Sequence, residues 1–212
     1  MTVAIVVAGG DAPPESVRSM LPPDAYVVAA DSGLDHALAL GLSPDAVVGD
    51  MDSVSRSALD GLDDHIEIQV HPVDKDASDL ELALRTALLA EPDEVVIVGG
   101  HGGRLDHLLA NVGLLASGDL ADVAVRWLAG RDLVVPVRDA VTIEGRARAT
   151  VSLLPAGGPA VGVSTVGLRW ELDREDLDPT STRSVSNEFL GTEATVSVES
   201  GVLLVVVPEA VG

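Results

Sequence analysis

The chain has 212 residues, of which 47% are hydrophobic and 22% are charged. This balance excludes fibrous and disordered proteins and allows one large domain or two small ones. Thirteen basic residues against thirty-four acidic ones give a formal net charge of −21, which disfavours a nucleic-acid partner because backbone binding needs clustered Lys and Arg. The chain has no Cys, which excludes disulfide frameworks, thiolate nucleophiles and Cys-ligated zinc.

The apolar segments do not indicate secretion or membrane insertion. The first apolar run, Val3 to Ala8, precedes the first basic residue, Arg18, whereas a secretory signal begins with its basic residues. The longest uncharged stretch, Ala149 to Leu168, contains Pro155 and Pro159, which would break a membrane-spanning helix. We interpret this stretch as strands and turns, and we expect a cytoplasmic protein without a membrane partner.

Short β-branched runs alternate with helical patterns up to residue 130. The runs are Val3 to Val7, Tyr26 to Ala30, Ala46 to Val48, Ile66 to Val70, Val95 to Val98 and Val123 to Leu128. Each is apolar or nearly so, as expected of strands buried on both faces. The clearest amphipathic stretches between them are Asp79 to Ala90 and Asp106 to Ala116. This order predicts an α/β domain with a mainly parallel sheet and helices on both faces.

The helical patterns stop near residue 135. Segments with period-2 alternation follow, such as Ala194 to Val198 and Val202 to Val207, which flank a Glu199-Ser200-Gly201 turn. These segments predict a small all-β, sandwich-like domain. We therefore expect an α/β domain at residues 1–135 and a β domain at residues 136–212.

Aspartates follow several of the predicted strands. Asp31 follows the second strand, Asp50 and Asp52 follow the third, and Asp74 and Asp76 follow the fourth. Ligands of an open parallel sheet bind beyond the carboxyl ends of its strands. Clustered carboxylates repel one another unless they share a cation, and Mg²⁺ prefers oxygen ligands. The pattern favours a magnesium site over a chance occurrence of Asp in loops.

Lys75 is the only lysine of the chain and lies just before a predicted helix start. Ser78 and Glu81 have the spacing of a capping box, which gives Ser78 a structural role. An ammonium beside the free backbone N–H groups of a helix start could hold a polyphosphate. This context favours a functional role for Lys75 over a chance surface lysine.

A glycine-rich loop, Gly99 to Gly103, follows the fifth predicted strand and leads to Arg104. Glycines let the backbone approach a ligand closely, and the planar guanidinium suits phosphate oxygens. Asp106 could cap the next helix, on which His107 and Asn111 lie one turn apart on one face. For His107, a ligand contact and a purely structural hydrogen bond both stay open.

Several other site motifs are absent from the sequence. The chain has neither the G-x-G-x-x-G dinucleotide fingerprint nor a Walker A loop, and its five His lack the H-E-x-x-H spacing of zinc hydrolases. No G-x-S-x-G elbow presents a serine, which disfavours acyl transfer. Trp170 and the run from Ser184 to Asn187 stand out in a chain with 2% aromatics. Trp170 suits either a core position or a flat heterocyclic ligand.

Taken in order, these motifs resemble the thiamin pyrophosphokinase family. The matching segments are A-A-D-S-G (29–33), P-D-A-V-V-G-D-M-D-S (44–53), D-K-D-A-S-D-L-E-L-A-L (74–84), G-G-R-L-D-H-x-x-x-N (102–111), and the later G-L-R-W and S-x-S-N. They extend from residue 29 to residue 187. Two positions differ from the usual family pattern, because Ser32 replaces a Gly and Ser78 replaces a Thr.

The resemblance implies a homodimeric enzyme that uses Mg²⁺ to transfer the diphosphoryl group of ATP to the hydroxyl of thiamin, releasing AMP. By motif match, the catalytic residues would be Asp50, Asp52 and Asp76. The residues around the metal and the phosphates would be Asp31, Asp50, Asp52, Asp74 and Asp76. The residues of the ATP site would be Asp31, Lys75, Ser78, Asp79, Arg104, Asp106, His107 and Asn111. The residues that bind thiamin across the dimer interface would be Trp170, Ser184, Ser186 and Asn187.

Two other functions stay open on the sequence alone. The same magnesium-ATP half could serve a pyrophosphokinase for another hydroxyalkyl heterocycle such as a pterin, although Trp170 and the Ser186-Asn187 pair favour thiamin. A non-catalytic nucleotide-binding regulator could also share the fold. The retained acidic residues argue against a regulator, because without a cation they would only destabilise the site.

Overall fold

The computed structural model describes residues 1–72 and 74–212, which form two compact units. The first unit contains Met1–Asn111 and Asp122–Gly130, and the second contains Val112–Ala121 and Arg131–Gly212. The expected domains at residues 1–135 and 136–212 stay a prediction.

The first unit is built on a parallel sheet. Its strands are β1 (Val3–Val7), β2 (Tyr26–Ala30), β3 (Ala46–Gly49), β4 (Glu67–Val70), β5 (Glu94–Val98) and β6 (Ala124–Ala129). They lie in the order β4-β3-β2-β1-β5-β6, and every neighbouring pair is parallel. The predicted α/β fold with a mainly parallel sheet is therefore confirmed.

The described residues form four α-helices: α1 (Gly33–Ala39), α2 (Arg56–Asp60), α3 (Asp79–Leu88) and α4 (Leu105–Leu114). The last three residues of α4 belong to the second unit. Helix α3 packs against β1, β2 and β3, because Leu80, Ala83, Leu84 and Ala87 form a buried stripe at helical spacing. Helix α4 is different, since Asn111 is its only buried residue.

Strand β4 corrects one prediction, because the expected burial of this strand on both faces is wrong. The side chains of Ile68 and Val70 are 49% and 68% exposed. Strand β4 is the edge of the sheet, where it pairs with β3. The alternation of Glu67 and Gln69 with the two apolar residues indicates a strand with one solvent-facing side. It predicts that the apolar side chains lie on the buried side, whereas in the structure they are exposed.

The second unit is built from antiparallel strands. They are β7 (Asp132–Val137), β8 (Ala140–Glu144), β9 (Thr150–Val166), β10 (Glu175–Leu177), β11 (Asn187–Glu188), β12 (Glu193–Ser197) and β13 (Ser200–Val207). The main order is β7-β13-β9-β12-β8, and β10 and β11 also pair with β9. The side chains of Val151, Leu153, Leu168, Phe189 and Leu203 are central to a buried apolar core. The predicted all-β region is confirmed.

Strand β9 covers most of the stretch that the sequence analysis interprets as several strands and turns. Residues Thr150–Val166 instead form one long strand. Its register against β13 shifts between the pairs Ser200–Val161 and Val202–Ala156, and Gly157 and Gly162 adopt positive φ angles of 72° and 66°. These glycines let the strand bend without ending. Among the described residues, no helix is long and apolar enough to cross a membrane.

Candidate active site

A cleft of about 740 Å³ lies at the carboxyl ends of β1, β2, β3 and β5 in the first unit. Its position follows from the parallel sheet, since the loops that leave these strands meet at one edge. The lining combines glycine backbone, carboxylates and two cationic side chains. The residues that line it are Ala8, Gly9, Gly10, Ala30, Asp31, Ser32, Asp50, Ser53, Lys75, Asp76, Ala77, Ser78, Asp79, Leu80, Gly100, Gly102, Arg104, His107 and Asn111.

Three carboxylates form a cluster at this edge. Asp31, Asp50 and Asp52 each offer one oxygen, and these oxygens lie within 4.8 Å of one another. Asp31 has a φ angle of 47° and Met51 one of 63°, a left-handed conformation that is uncommon for residues with a side chain and is often found at functional sites. The backbone of both loops is thus held in an unusual conformation where the carboxylates meet.

The donor set fits a hard divalent cation. Asp31 Oδ1 is buried and has no hydrogen-bond partner among the described residues. A buried polar atom without a partner is costly, and Mg²⁺ coordinated by oxygens would satisfy it. Burial raises the pKa of Asp31, and the neighbouring carboxylates of Asp79, Asp50 and Asp52 raise it further, although the Ser32 backbone N–H opposes them. A cation would relieve this repulsion.

Lys75 lies between two of the acidic side chains. Its Nζ donates a hydrogen bond to Asp79 Oδ1 at 2.6 Å, and it lies 3.6 Å from Asp50 Oδ2. Burial alone would lower the pKa of this ammonium, but the hydrogen bond to Asp79 and the charges of Asp79 and Asp50 outweigh that effect and raise it. Lys75 therefore keeps its positive charge in the cleft. This geometry supports the functional interpretation of the lone lysine.

The pKa of Asp50 is lowered mainly by the Asp52 backbone N–H, which donates to Asp50 Oδ1 at 3.2 Å. Burial opposes this effect and the charge of Lys75 reinforces it. Asp50 therefore stays ionised, as a metal ligand should be.

Helix α3 begins at the cleft. The Ser78 side chain accepts a hydrogen bond from the Glu81 backbone N–H at 3.2 Å, which forms one half of the expected capping box. The carboxylate of Glu81 instead binds Arg85 at 2.6 Å, so the reciprocal half is not formed. Ser78 also lines the cleft, and its structural role and its exposure to ligand therefore coexist.

Two glycine segments, residues 9–10 and 99–103, are hydrogen-bonded to each other at the edge of the sheet, and only the second is expected from the sequence. The Gly100 N–H donates to the Gly9 carbonyl at 2.8 Å, and the Asp11 N–H donates to the His101 carbonyl at 2.9 Å. Gly10 has a φ angle of 100°, and a Cβ there would lie 2.3 Å from the His101 carbonyl oxygen. Gly9 and Gly10 directly follow the first predicted strand, which is the signal that could have identified them.

Two side chains hold the second glycine segment in place. Asn111 Nδ2 donates to the Gly100 carbonyl at 2.9 Å, and Trp127 Nε1 donates to the Gly99 carbonyl at 2.7 Å. Asn111 is 8% exposed and Trp127 is 2% exposed. Asn111 therefore lines the cleft and also fixes the loop whose backbone approaches a ligand.

Arg104 and Asp106 form an ion pair at the outer rim of the cleft. Arg104 donates to both carboxylate oxygens of Asp106, at 3.1 Å and 2.5 Å, and this lowers the pKa of Asp106 to about 2. The suggestion that Asp106 caps α4 is wrong, because the helix begins at Leu105 and Asp106 lies in its first turn. Arg104 and His107 line the cleft, whereas Asp106 is outside its lining.

The remaining predicted carboxylates are placed unequally. Asp76 and Asp79 line the cleft. Asp74 is exposed and belongs neither to the cleft lining nor to the three-carboxylate cluster. Asp52 belongs to the cluster but not to the lining.

A hydrogen-bonded pair, which the sequence analysis does not identify, supports the loop that carries Asp50 and Asp52. Asp35 on α1 accepts hydrogen bonds from the Ser55 hydroxyl at 2.5 Å and from its backbone N–H at 3.1 Å. Ser55 also caps α2, because its hydroxyl accepts from the Ala58 N–H at 3.2 Å. The end of the loop that carries Asp50 and Asp52 is thus hydrogen-bonded to α1 and to α2.

In the second unit, the structure excludes one of the two alternatives for Trp170, the core position. Its side chain is 54% exposed, so it is not a core residue, and the Arg169 guanidinium carbon lies 4.8 Å from its ring centroid. Ser184 and Ser186 have φ angles of 72° and 61°, and Asn187 is 3% exposed. The four residues predicted to bind thiamin therefore differ sharply in their access to a ligand.

A parallel sheet whose strand ends bring carboxylates, one lysine and glycine backbone into one cleft suits an enzyme that binds a nucleotide with Mg²⁺ and transfers its phosphate groups. Residues 17–125 match the family described as "Thiamin pyrophosphokinase, catalytic domain", and residues 140–203 match "Thiamin pyrophosphokinase, vitamin B1 binding domain". The chain belongs to the thiamin pyrophosphokinase family.

Individual relatives agree with this assignment. The thiamine pyrophosphokinase of Bacillus subtilis is 26% identical over 182 residues, which are 84% of this chain and 85% of that protein. A crystal structure of thiamine pyrophosphokinase from Bacillus subtilis, also 26% identical, matches 98% of this chain and 99% of its own with a TM-score of 0.86. Thiamin pyrophosphokinase from Candida albicans is 15% identical and matches 98% of this chain and 89% of its own with a TM-score of 0.83. At that identity the likeness shows the fold alone.

Proposed function

We propose that this protein is a thiamin pyrophosphokinase that transfers the diphosphoryl group of ATP to the hydroxyethyl oxygen of thiamin. The thiamin oxygen forms a bond to the β-phosphorus, the bond from that phosphorus to the α,β-bridging oxygen breaks, and AMP leaves. The observation that carries the proposal is the single cleft that gathers Asp31, Asp50 and Lys75 beside two glycine segments, in a chain that matches both domains of this family.

Asp31, Asp50 and Asp52 would hold Mg²⁺, because one oxygen of each converges and Asp31 Oδ1 has no hydrogen-bond partner in the part of the chain that the structure describes. Bound there, Mg²⁺ would neutralise phosphate charge and orient the oxygens of the nucleotide. Asp76 lines the same cleft and remains a candidate catalytic residue. Asp74 is proposed on the family motif alone.

The other residues of the cleft bind and orient the phosphates. Lys75 is held by Asp79 and Asp50 and offers a fixed positive charge to a phosphate oxygen. The glycine segments let backbone groups approach the phosphates closely. Ser78, Arg104, His107 and Asn111 complete the ATP site, with Asp106 orienting Arg104. A cleft carboxylate close to the thiamin hydroxyl would accept its proton.

Thiamin recognition is proposed for the second unit, where Trp170 exposes an aromatic ring suited to stacking on a flat heterocycle. Ser184 and Ser186 lie on the segment that pairs with β9. We also propose, from the family resemblance, that the active form is a cytoplasmic homodimer in which these residues bind thiamin at the interface.

The purified protein should be incubated with Mg²⁺-ATP and thiamin, and the products separated by chromatography. Equal amounts of AMP and thiamin diphosphate are expected. ADP with thiamin monophosphate would show that the transferred group is wrong, although the phosphate site is correct. ATP binding without either product would contradict the thiamin assignment, and a screen of pterin alcohols would then separate another pyrophosphokinase from a regulator.

A further inference from the structure

The Asn187 side chain is occupied by the backbone of Trp170. Its Oδ1 accepts the Trp170 N–H at 3.1 Å, and its Nδ2 donates to the Trp170 carbonyl at 2.8 Å. The same Oδ1 accepts the Glu188 N–H at 2.8 Å. Both backbone polar groups of Trp170 are therefore satisfied by one amide, which replaces the neighbouring strand that a sheet residue would have.

This amide has little left to offer to a substrate. Asn187 is 3% exposed, and its oxygen already accepts two hydrogen bonds, which is its full acceptor capacity. A contact through Oδ1 would break a buried hydrogen bond and leave the backbone N–H of Trp170 or Glu188 without a partner, which is costly. The second Nδ2 N–H makes no bond to the described residues, but the burial of Asn187 limits its access to a ligand. The geometry separates Asn187 from the residues that can touch a ligand.

The Trp170 ring itself is contacted by Arg169. The Arg169 N–H donates to the Glu188 carbonyl at 2.9 Å, and the Arg169 guanidinium binds the Glu188 carboxylate at 2.9 Å. That guanidinium lies 4.8 Å from the ring centroid, within the range of a cation–π contact. One face of the ring is therefore covered by a fixed cation, which leaves the other face for a flat heterocycle.

We propose that Asn187 is a positioning residue that fixes Trp170 for stacking on the thiamin heterocycle, and that it does not itself bind the substrate. The proposal deepens the function proposed above and rests on it. Asn187 acts through the backbone of Trp170, while Arg169 and Glu188 orient the ring. The consequence is that all of the contribution of Asn187 to thiamin binding passes through the Trp170 side chain.

A double-mutant cycle tests this dependence. Asn187→Ala should raise the KM for thiamin about tenfold while kcat and the KM for ATP change less than about twofold. In a Trp170→Ala background, the same substitution should change the KM for thiamin less than about twofold, because the ring that it positions is gone. Equal fold-changes in the two backgrounds would mean a direct contact and would overturn the proposal. A Trp170→Ala variant with an unchanged KM would overturn it too.

A matched control separates positioning from general loss of structure. Thr165 is also buried in this unit, at 4% exposure, and its Oγ1 accepts the Leu172 N–H at 2.9 Å. Thr165→Val removes a comparable buried hydrogen bond, so it should lower Tm but leave the KM for thiamin unchanged. Asn187→Asp provides a second variant that keeps both acceptor contacts and loses the donor. Because a carboxylate oxygen would then face the Trp170 carbonyl oxygen, its KM for thiamin should also rise, and an unchanged KM would contradict the positioning role.

A fluorescence measurement distinguishes failure of this proposal from failure of the proposed function. Trp127 is 2% exposed and bonded to Gly99, so Trp170 is the mobile candidate of the two Trp residues. Without substrate, Asn187→Ala should enlarge the fast component of the anisotropy decay. An unchanged decay would overturn the positioning role whatever the activity. A larger fast component in a protein that makes no thiamin diphosphate would support the positioning of Trp170 by Asn187 and contradict the thiamin function.

Discussion

The cleft of the first unit and the exposed ring of Trp170 in the second unit solve opposite recognition problems. In the cleft, Asp31 Oδ1 has no hydrogen-bond partner among the described residues. The carboxylates there repel one another, and a bound cation would offset this repulsion. Around Trp170, the polar groups are satisfied internally by Asn187 and Glu188, and the aromatic ring is what remains exposed. Carboxylates and a polar atom without partners thus characterise the proposed phosphate site, and exposed aromatic surface characterises the proposed thiamin site.

The largest expected effect tests the charged side of this comparison. Asp52→Ala removes one oxygen of the carboxylate cluster, and it should lower kcat by at least about 10³-fold because phosphate charge is no longer neutralised correctly. Circular dichroism and Tm should stay near wild type, since Asp52 is exposed. Asp64→Ala, an exposed carboxylate outside the cleft, is the control. Near-wild-type turnover of Asp52→Ala would remove this residue from the metal site.

Loss of the lone ammonium should be the next largest effect. Lys75→Ala should reduce kcat/KM for ATP about 10²-fold, and Lys75→Arg should restore only part of it, because a planar guanidinium does not reproduce a point charge between Asp79 and Asp50. The KM for thiamin should change little. Arg85→Ala removes an exposed ion pair on α3 and should leave steady-state kinetics unchanged. Full activity of Lys75→Ala would return Lys75 to the status of a surface residue.

Loss of the exposed Trp170 ring should affect the binding of thiamin and not the binding of ATP. Trp170→Ala should raise the KM for thiamin about tenfold or more, because the thiamin heterocycle can no longer stack on the aromatic ring. The KM for ATP should stay unchanged. Val161→Ala trims another exposed apolar side chain of this unit and serves as the control. An equal rise of both KM values would show that the two recognition sites are not separable.

The smallest expected effect is on stability: it concerns the hydrogen bonds between Asp35 and Ser55, beside the loop that carries Asp50 and Asp52, and it depends on pH. Hydrogen bonds from Ser55 lower the pKa of Asp35, so this carboxylate contributes stability above its unfolded pKa of about 4 and loses it as the pH falls through the lower folded value. Asp35→Asn should therefore reduce the free energy of unfolding by about 1 kcal/mol at pH 7. The difference from wild type should shrink below about pH 4 in denaturant titrations. A difference that is constant between pH 7 and pH 3 would argue against the ionised pair.

The strand-end carboxylates could be predicted from sequence because parallel strands deliver their following residues to one edge, whatever the details of the loops. The same rule reaches Gly9 and Gly10, but a search for polar side chains passes over glycines. The two ends of the Asn187 contact could not be predicted, because the amide meets a residue seventeen positions earlier through a pairing that only the folded β unit creates. Asp106 shows a smaller failure, since Arg104 binds its carboxylate from two residues away and the helix starts at Leu105, two residues earlier than a cap at Asp106 would require.

Lys75 is the only lysine of the chain, and 14% of its side chain is exposed. Acylating reagents directed at side-chain amines therefore have one position to react with, and that position lies inside the cleft. Its raised pKa makes the amine slow to react until the pH is raised, and a nucleotide bound in the cleft would shield it further. The unmodified protein thus offers one side-chain amine for attaching a reporter group, inside the cleft that is proposed to bind the phosphates.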